Sequence, residues 1–167
     1  MVNTAISENT QQNSILQFLS FTLGDDDYGV DILRVQEIRG WEEVRSIPNT
    51  PECIKGVLNL RNIVVPIIDL RIRFLQEEVK YEPTTVIVVL SVENGNVKST
   101  IGIVVDTVSD VLDVQQSNIK DAPNFGSKID TRYINGMVSL DDRMVILLDT
   151  DKLLNPEEMS EIEKMTG

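Results

Sequence analysis

Ile54-Lys-Gly-Val-Leu-Asn-Leu-Arg-Asn-Ile-Val-Val-Pro-Ile-Ile-Asp69 returns in altered form as Ile134-Asn-Gly-Met-Val-Ser-Leu-Asp-Asp-Arg-Met-Val-Ile-Leu-Leu-Asp149. Ile, Gly, Leu and Asp coincide at 54/134, 56/136, 60/140 and 69/149, and apolar positions match between them. Each copy reads as strand, two-residue turn, strand. Gly56–Leu60 and Ile63–Asp69 flank Arg61-Asn62, where Asn accepts positive φ, and Gly136–Leu140 and Arg143–Leu148 flank Asp141-Asp142. Upstream, Tyr28-Gly-Val resembles Ile101-Gly-Ile, with Val35 and Val108 further on. A period of 80 residues is too long for a solenoid. The duplication instead predicts two pseudo-equivalent β subdomains packed together. Each is the size of a five-stranded barrel, an architecture that reduces exposed strand edges.

Outward from the repeat, period-two patterns and short Val/Ile runs predict further strands. Leu16–Leu23 and Tyr28–Ile32 flank the acidic turn Gly24–Asp27; Thr85–Val92 and Thr100–Val105 flank the hairpin tip Glu93-Asn94-Gly95-Asn96. The stretch Leu33 to Ile38 reads as a short helix or a continuing strand, with the helix favoured. Asn155 is an N-cap followed by Pro156 at the first helical position and by Glu157 and Glu158 in the first turn. A C-terminal helix is expected there, its Met159, Ile162 and Met165 stripe packing on its own domain. The chain thus divides into a disordered tail over 1–15, one domain over 16–160 and a helix and tail over 155–167. The domain's two subdomains cover approximately 16–83 and 84–154, with ends free to cross over.

With 167 residues, 41% hydrophobic content and a mean hydropathy of −0.06, the chain can bury a core without disulfide or metal. Cys53 has no second cysteine to pair with, which suits a reducing compartment. The polar N-terminus carries no signal-peptide pattern, and no apolar run approaches the roughly 20 residues that cross a bilayer. A cytoplasmic protein is expected. Fifteen Lys and Arg against 27 Asp and Glu give a net charge of −12 and a pI near 4.4, which weighs against nucleic-acid or anionic-membrane binding. Histidine is absent, removing the side chain best suited to proton transfer near neutral pH and the commonest metal ligand.

Candidate chemistry is thin. Asp25, Asp26 and Asp27 would repel phosphate and lack the alternating oxygens of an EF-hand, so a solvated turn outweighs a cation site. Asp69 and Asp149 could form an acid–base pair. The simpler reading is that each accepts hydrogen bonds from the chain turn that follows its strand. Cys53, without a histidine to activate it, reads as a small packed hydrophobe. No catalytic residues, metal ligands or cofactor are expected. A carboxylate-dependent hydrolase and an acidic-turn metal sensor remain the alternatives from other classes.

Several stretches resemble the CheW family of bacterial chemotaxis coupling proteins. They are Phe21-Thr-Leu-Gly-Asp-Asp-Asp-Tyr-Gly-Val-Asp-Ile, Val35-Gln-Glu-Ile-Arg-Gly, Asn49-Thr-Pro, Ile54-Lys-Gly-Val-Leu-Asn-Leu-Arg, Val65-Pro-Ile-Ile-Asp-Leu-Arg and Gly102-Ile-Val-Val-Asp-Thr-Val-Ser-Asp-Val-Leu, spread over residues 16 to 160. The resemblance implies two intertwined five-stranded barrels of SH3-like type. It also implies a non-catalytic adaptor, monomeric when free, that bridges the cytoplasmic tips of chemoreceptors to the regulatory domain of the histidine kinase CheA. Such an adaptor is recruited to membrane-associated arrays without inserting in the membrane. Carried over by motif, Glu37, Gly56, Arg61, Val86, Val108 and Val111 line or support a receptor groove. Val35 belongs to a first kinase face, and Lys120 and Phe125 to a second. Family members often carry Arg at the position of Lys120, and Gly at that of Asn62. A CheW-like adaptor of another chemosensory pathway, such as twitching motility, is the alternative within the fold.

Overall fold

The duplicated hairpins form as their alternating apolar residues require. β4 (Ile54–Leu60) pairs antiparallel with β5 (Ile63–Asp69), and β9 (Ile134–Leu140) with β10 (Arg143–Leu148). These belong to a computed structural model that describes residues 14–75, 78–121 and 130–166. Both residues of the β4–β5 turn, Arg61 (φ 51°) and Asn62 (φ 67°), lie in the left-handed region that a tight two-residue hairpin demands.

The other strands are β1 (Ile15–Leu23), β2 (Asp26–Asp31), β3 (Val35–Gly40), β6 (Val86–Asn94), β7 (Val97–Val105) and β8 (Thr107–Gln115). They complete two five-stranded sheets, ordered β8-β1-β2-β10-β9 and β3-β6-β7-β5-β4. The sheets share one plan. The pairs β2·β10 and β7·β5 are parallel and every other pair is antiparallel. The second sheet is continuous in sequence, whereas the first joins the leading hairpin β1–β2 to β8, β9 and β10. Each repeat therefore places its first two strands in one sheet and its last three in the other. The chain halves and the sheets are different divisions of the molecule.

Each sheet curls until its edges meet at one point. Arg45, beyond β3, exchanges two backbone hydrogen bonds with Val57 of β4 (3.0 and 2.8 Å); Lys120, beyond β8, does the same with Met137 of β9 (2.9 and 2.8 Å). A single residue pair, rather than a full ladder, joins the edges of each SH3-like barrel. Ile67 of β5 faces Gly56 on one neighbour and Gly102 on the other; Leu147 of β10 faces Gly136 and Gly29. The glycines leave room for the large central side chain and for the seam. A Cβ on Gly56 would run into the Arg45 carbonyl, and one on Gly136 would lie 2.6 Å from Ile119 Cγ2.

The central strands bury both faces. In the second barrel Val65, Ile67, Ile87, Val89 and Val104 fill the interior; in the first, Phe18, Val114, Val138, Val145 and Leu147 do so. Alternate residues point the other way into a larger cluster common to both sheets, including Phe21, Tyr28, Ile68, Val88, Leu90 and Ile103. Each such aliphatic side chain contributes ~1.5–3 kcal/mol relative to exposure, so the barrels are joined by core as well as by covalent crossovers.

Two readings of the sequence need correction. Leu33 to Ile38 is not a helix. A short 3-10 turn, Ile32–Arg34, is capped by the Asp31 carboxylate accepting from the Leu33 N–H (2.9 Å), and Val35 then begins β3. β8 was not anticipated. At the C-terminus, Asn155 caps α1 (Pro156–Thr166) as expected: its Oδ1 accepts from Glu158 N–H (2.7 Å), and Glu158 Oε1 accepts from Asn155 N–H (3.1 Å). Met159 and Ile162 are buried against the common core. Residues 1–13 of the expected tail and the side chain of Met165 lie outside those described, while Ile15 already belongs to β1.

Candidate docking surface

The sequence-predicted receptor residues divide into three groups. Glu37 and Arg61 meet directly although they lie on β3 and at the β4–β5 tip, at opposite ends of the sheet order; curling of the barrel brings them together. Arg61 Nη2 donates to Glu37 Oε1 (3.1 Å), and Arg39 Nη1 donates to Glu37 Oε2 (3.3 Å) while pairing with Glu42 (3.2 Å). The Arg61 side chain is 79% exposed, so the pair presents a cation to solvent with its carboxylate partner behind it. Such a pair contributes ~0–1 kcal/mol to stability. Its value lies in orienting the guanidinium.

Val86 and Val108 come from different sheets, are half-buried, and pack against the common core, as does Val35. Their side chains are given more to packing than to solvent. Val111 is exposed on β8, and Gly56 lies in the barrel seam, where it serves through the backbone. Of the two residues expected at a second kinase face, Lys120 is exposed on the seam of the other barrel, and Phe125 lies outside the described residues.

The groups that might have carried chemistry are tied into the structure. Asp69 Oδ1 accepts from Arg71 N–H (3.0 Å) and Asp149 Oδ1 from Asp151 N–H (3.1 Å): both carboxylates cap the turn after their strand, as the simpler reading holds. Asp69 is fully buried and also pairs with the Arg71 guanidinium (2.8 Å) and with the Tyr81 hydroxyl (2.9 Å). Burial opposes the charge on Arg71, but its bonds to Asp69 and Asp106 outweigh it and raise its pKa. Burial, with the Asp69 charge, pushes the Tyr81 hydroxyl well above its ordinary value. Tyr81 stacks on Trp41, ring centroids 4.1 Å apart, so Trp41 is a half-buried packing residue. Cys53 is buried and burial raises its thiol pKa, the opposite of an activated nucleophile. Among the described residues, no three Cys, Asp or Glu side chains converge as metal ligands.

Sequence reasoning missed Arg73. It follows β5, pairs with Glu158 of α1 (2.6 Å) and donates to the Tyr133 hydroxyl (3.2 Å), tying the helix to both barrels beside a cleft of about 450 Å³. Only its spacing two residues beyond Arg71 could have drawn notice.

The profile of the CheW-like domain matches residues 17–158. The chain belongs to the CheW-like family. It is 49% identical over 149 residues to the chemotaxis protein CheW of Klebsiella aerogenes, covering 89% of this chain and 87% of that protein. It is 33% identical over 153 residues to the chemotaxis protein CheW of Treponema pallidum, covering 89% and 88%. The scaffolding protein CheW of Thermoanaerobacter tengcongensis, known as a crystal structure, superposes with a TM-score of 0.75 at 29% identity, covering 84% of this chain and 88% of that one. Membership thus confirms the all-β, SH3-like reading and the scaffold character of the CheW-like chain. Among the described residues, no helix is long and apolar enough to cross a membrane.

Proposed function

We propose that this chain is a non-catalytic adaptor that couples the cytoplasmic tips of chemoreceptors to the histidine kinase CheA in chemotaxis arrays. The observation that carries this reading is Arg61, an exposed guanidinium on a tight turn in the left-handed conformation and paired with Glu37. Receptor docking would use Arg61 and Glu37 directly and Val111 as an apolar neighbour, with Val86, Val108 and Gly56 fixing the shape of the groove. Val35 on one barrel and Lys120 on the other would belong to the two kinase faces, and by the family resemblance Phe125 would belong to the second. Two similar barrels then offer two unlike contact surfaces, as a protein inserted between two partners requires. The chain would act as a cytoplasmic monomer recruited to receptors, each contact modest and the array supplying avidity.

The test is Arg61→Asp in a pull-down against a receptor cytoplasmic fragment and, separately, against the kinase regulatory domain. Loss of receptor capture with kinase capture retained is expected. Normal receptor capture would remove the assignment.

A further inference from the structure

The two crossovers between barrels carry the same clasp with its charges exchanged. After β5, two residues past Asp69, stands the cation Arg71; it bonds Asp106 (3.1 Å), the residue at the crossover from β7 to β8. Asp106 Oδ2 in turn accepts from Gly24 N–H (2.8 Å) at the turn of the β1–β2 hairpin in the other barrel. After β10, two residues past Asp149, stands the acid Asp151; it takes both oxygens to Arg34 (3.1 and 3.3 Å), at the crossover from β2 to β3. Asp151 Oδ1 also accepts from Glu93 N–H (2.8 Å) near the end of the β6–β7 hairpin.

Their surroundings differ. Arg71 is held additionally by the fully buried Asp69 and by the Lys80 carbonyl (3.0 Å), and its side chain is 6% exposed although that of Asp106 is 36% exposed. Arg34 and Asp151 are 27% and 30% exposed, and among the described residues the Arg34 guanidinium reaches, apart from Asp151, only the Ser91 carbonyl at 3.4 Å. Salt screens a pair with both partners partly exposed more than one whose cation is buried and anchored by a second, buried carboxylate.

We propose that Arg34–Asp151 is a releasable latch that frees the end of the β6–β7 hairpin from the opposite barrel, while Arg71–Asp106 is its permanent counterpart. The opening is local, because the common core holds the barrels together, and it is set by ionic strength and by any partner that competes for either charge.

Amide hydrogen exchange on the intact protein tests this without any partner, so its outcome is independent of whether receptor docking is correctly assigned. Between low salt and 1 M NaCl, exchange at the Glu93 amide should rise about two- to fivefold, the factor that an exposed pair's contribution converts to. The Gly24 amide should hold its rate. Arg34→Ala, and Asp151→Asn, which keeps an oxygen for the Glu93 amide but loses the charge, should raise Glu93 exchange in low salt and abolish its salt response. Equal salt responses at Gly24 and Glu93, or none at Glu93, would overturn the proposal.

Discussion

The β4–β5 and β9–β10 hairpin tips occupy equivalent places on the two barrels, yet one carries Arg61-Asn62 and the other Asp141-Asp142. Around them the scaffold agrees closely: Gly56 answers to Gly136, Ile67 to Leu147, Gly102 to Gly29, and Asp69 to Asp149 in both identity and hydrogen bond. The repeat therefore works as a comparison of two sequences within one chain. Positions that agree close a seam, make room for a large neighbour or cap a turn, and positions that diverge face solvent or line the junction between barrels. What the duplication kept is architecture, and what it varied is surface and clasp.

The sharpest divergence in the junctions is Arg71 against Asp151. Arg71→Ala would leave Asp69 buried and uncompensated, a change that costs about 3–5 kcal/mol. Asp151→Ala removes a partly exposed pair and should cost ~1 kcal/mol or less. Denaturant midpoints of the two variants measure the difference directly. Equal losses would mean that the clasps are energetically alike and that burial of Asp69 is irrelevant.

The seam glycines agree in identity but not in tolerance. Gly56 has φ 147°, where L side chains are strained, and its Cβ would meet backbone. Gly136 would meet the Ile119 methyl, which can shift, and the Lys120 carbonyl at 3.1 Å. Gly56→Ala should therefore destabilise by about 3 kcal/mol, and Gly136→Ala by about 1–2 kcal/mol, read from thermal or urea unfolding. The reverse order would show that the seams are not closed in the way their backbones indicate.

The same asymmetry should appear in alkaline solution. Tyr81, hydrogen-bonded to Asp69, has its hydroxyl pKa raised by burial, and among the described residues nothing in the other barrel repeats this network. Below about pH 10 the hydroxyl is protonated in both states. Above that, the unfolded chain releases the proton first, so the native state binds more protons and stability falls as pH rises. The melting temperature should drop less between pH 9 and 11 in Tyr81→Phe than in the parent chain. Identical slopes would place the loss elsewhere, for example at Tyr28, whose pKa is also raised by burial.

Much of this was written in the chain, because the repeat has period-two apolar patterning and explicit turn chemistry. The duplicated hairpins, the N-cap of α1 and the capping roles of Asp69 and Asp149 follow from local rules. β8 did not announce itself: Thr107–Gln115 is an edge strand with most residues exposed, so its sequence carries polar and acidic residues without clean alternation. β3 is hard to read locally because the Asp31-capped 3-10 turn Ile32–Arg34 runs straight into it. The exchange of leading hairpins between barrels is a matter of long-range pairing, which no local pattern encodes. Glu37 and Arg61 could be named separately from the family resemblance. Their contact needed the barrel to close.

The tips give the smallest expected effect and the most direct link to function. Asp141 (φ 54°) is a residue type that tolerates the left-handed region, whereas Arg61 (φ 51°) is not. Arg61 has only an exposed ion pair to set against that strain, so Arg61→Gly should leave stability unchanged or raise it by ~0.5–1 kcal/mol. Asp141→Gly should gain less, because less strain is relieved. A strained residue that adds little to the fold suits a use outside it, and under the proposed docking role receptor capture should then fail in a protein that melts no lower than the parent. If Arg61→Gly instead lowers the melting temperature by several degrees, the Glu37 pair outweighs the strain and Arg61 belongs with the structural positions that the two barrels share.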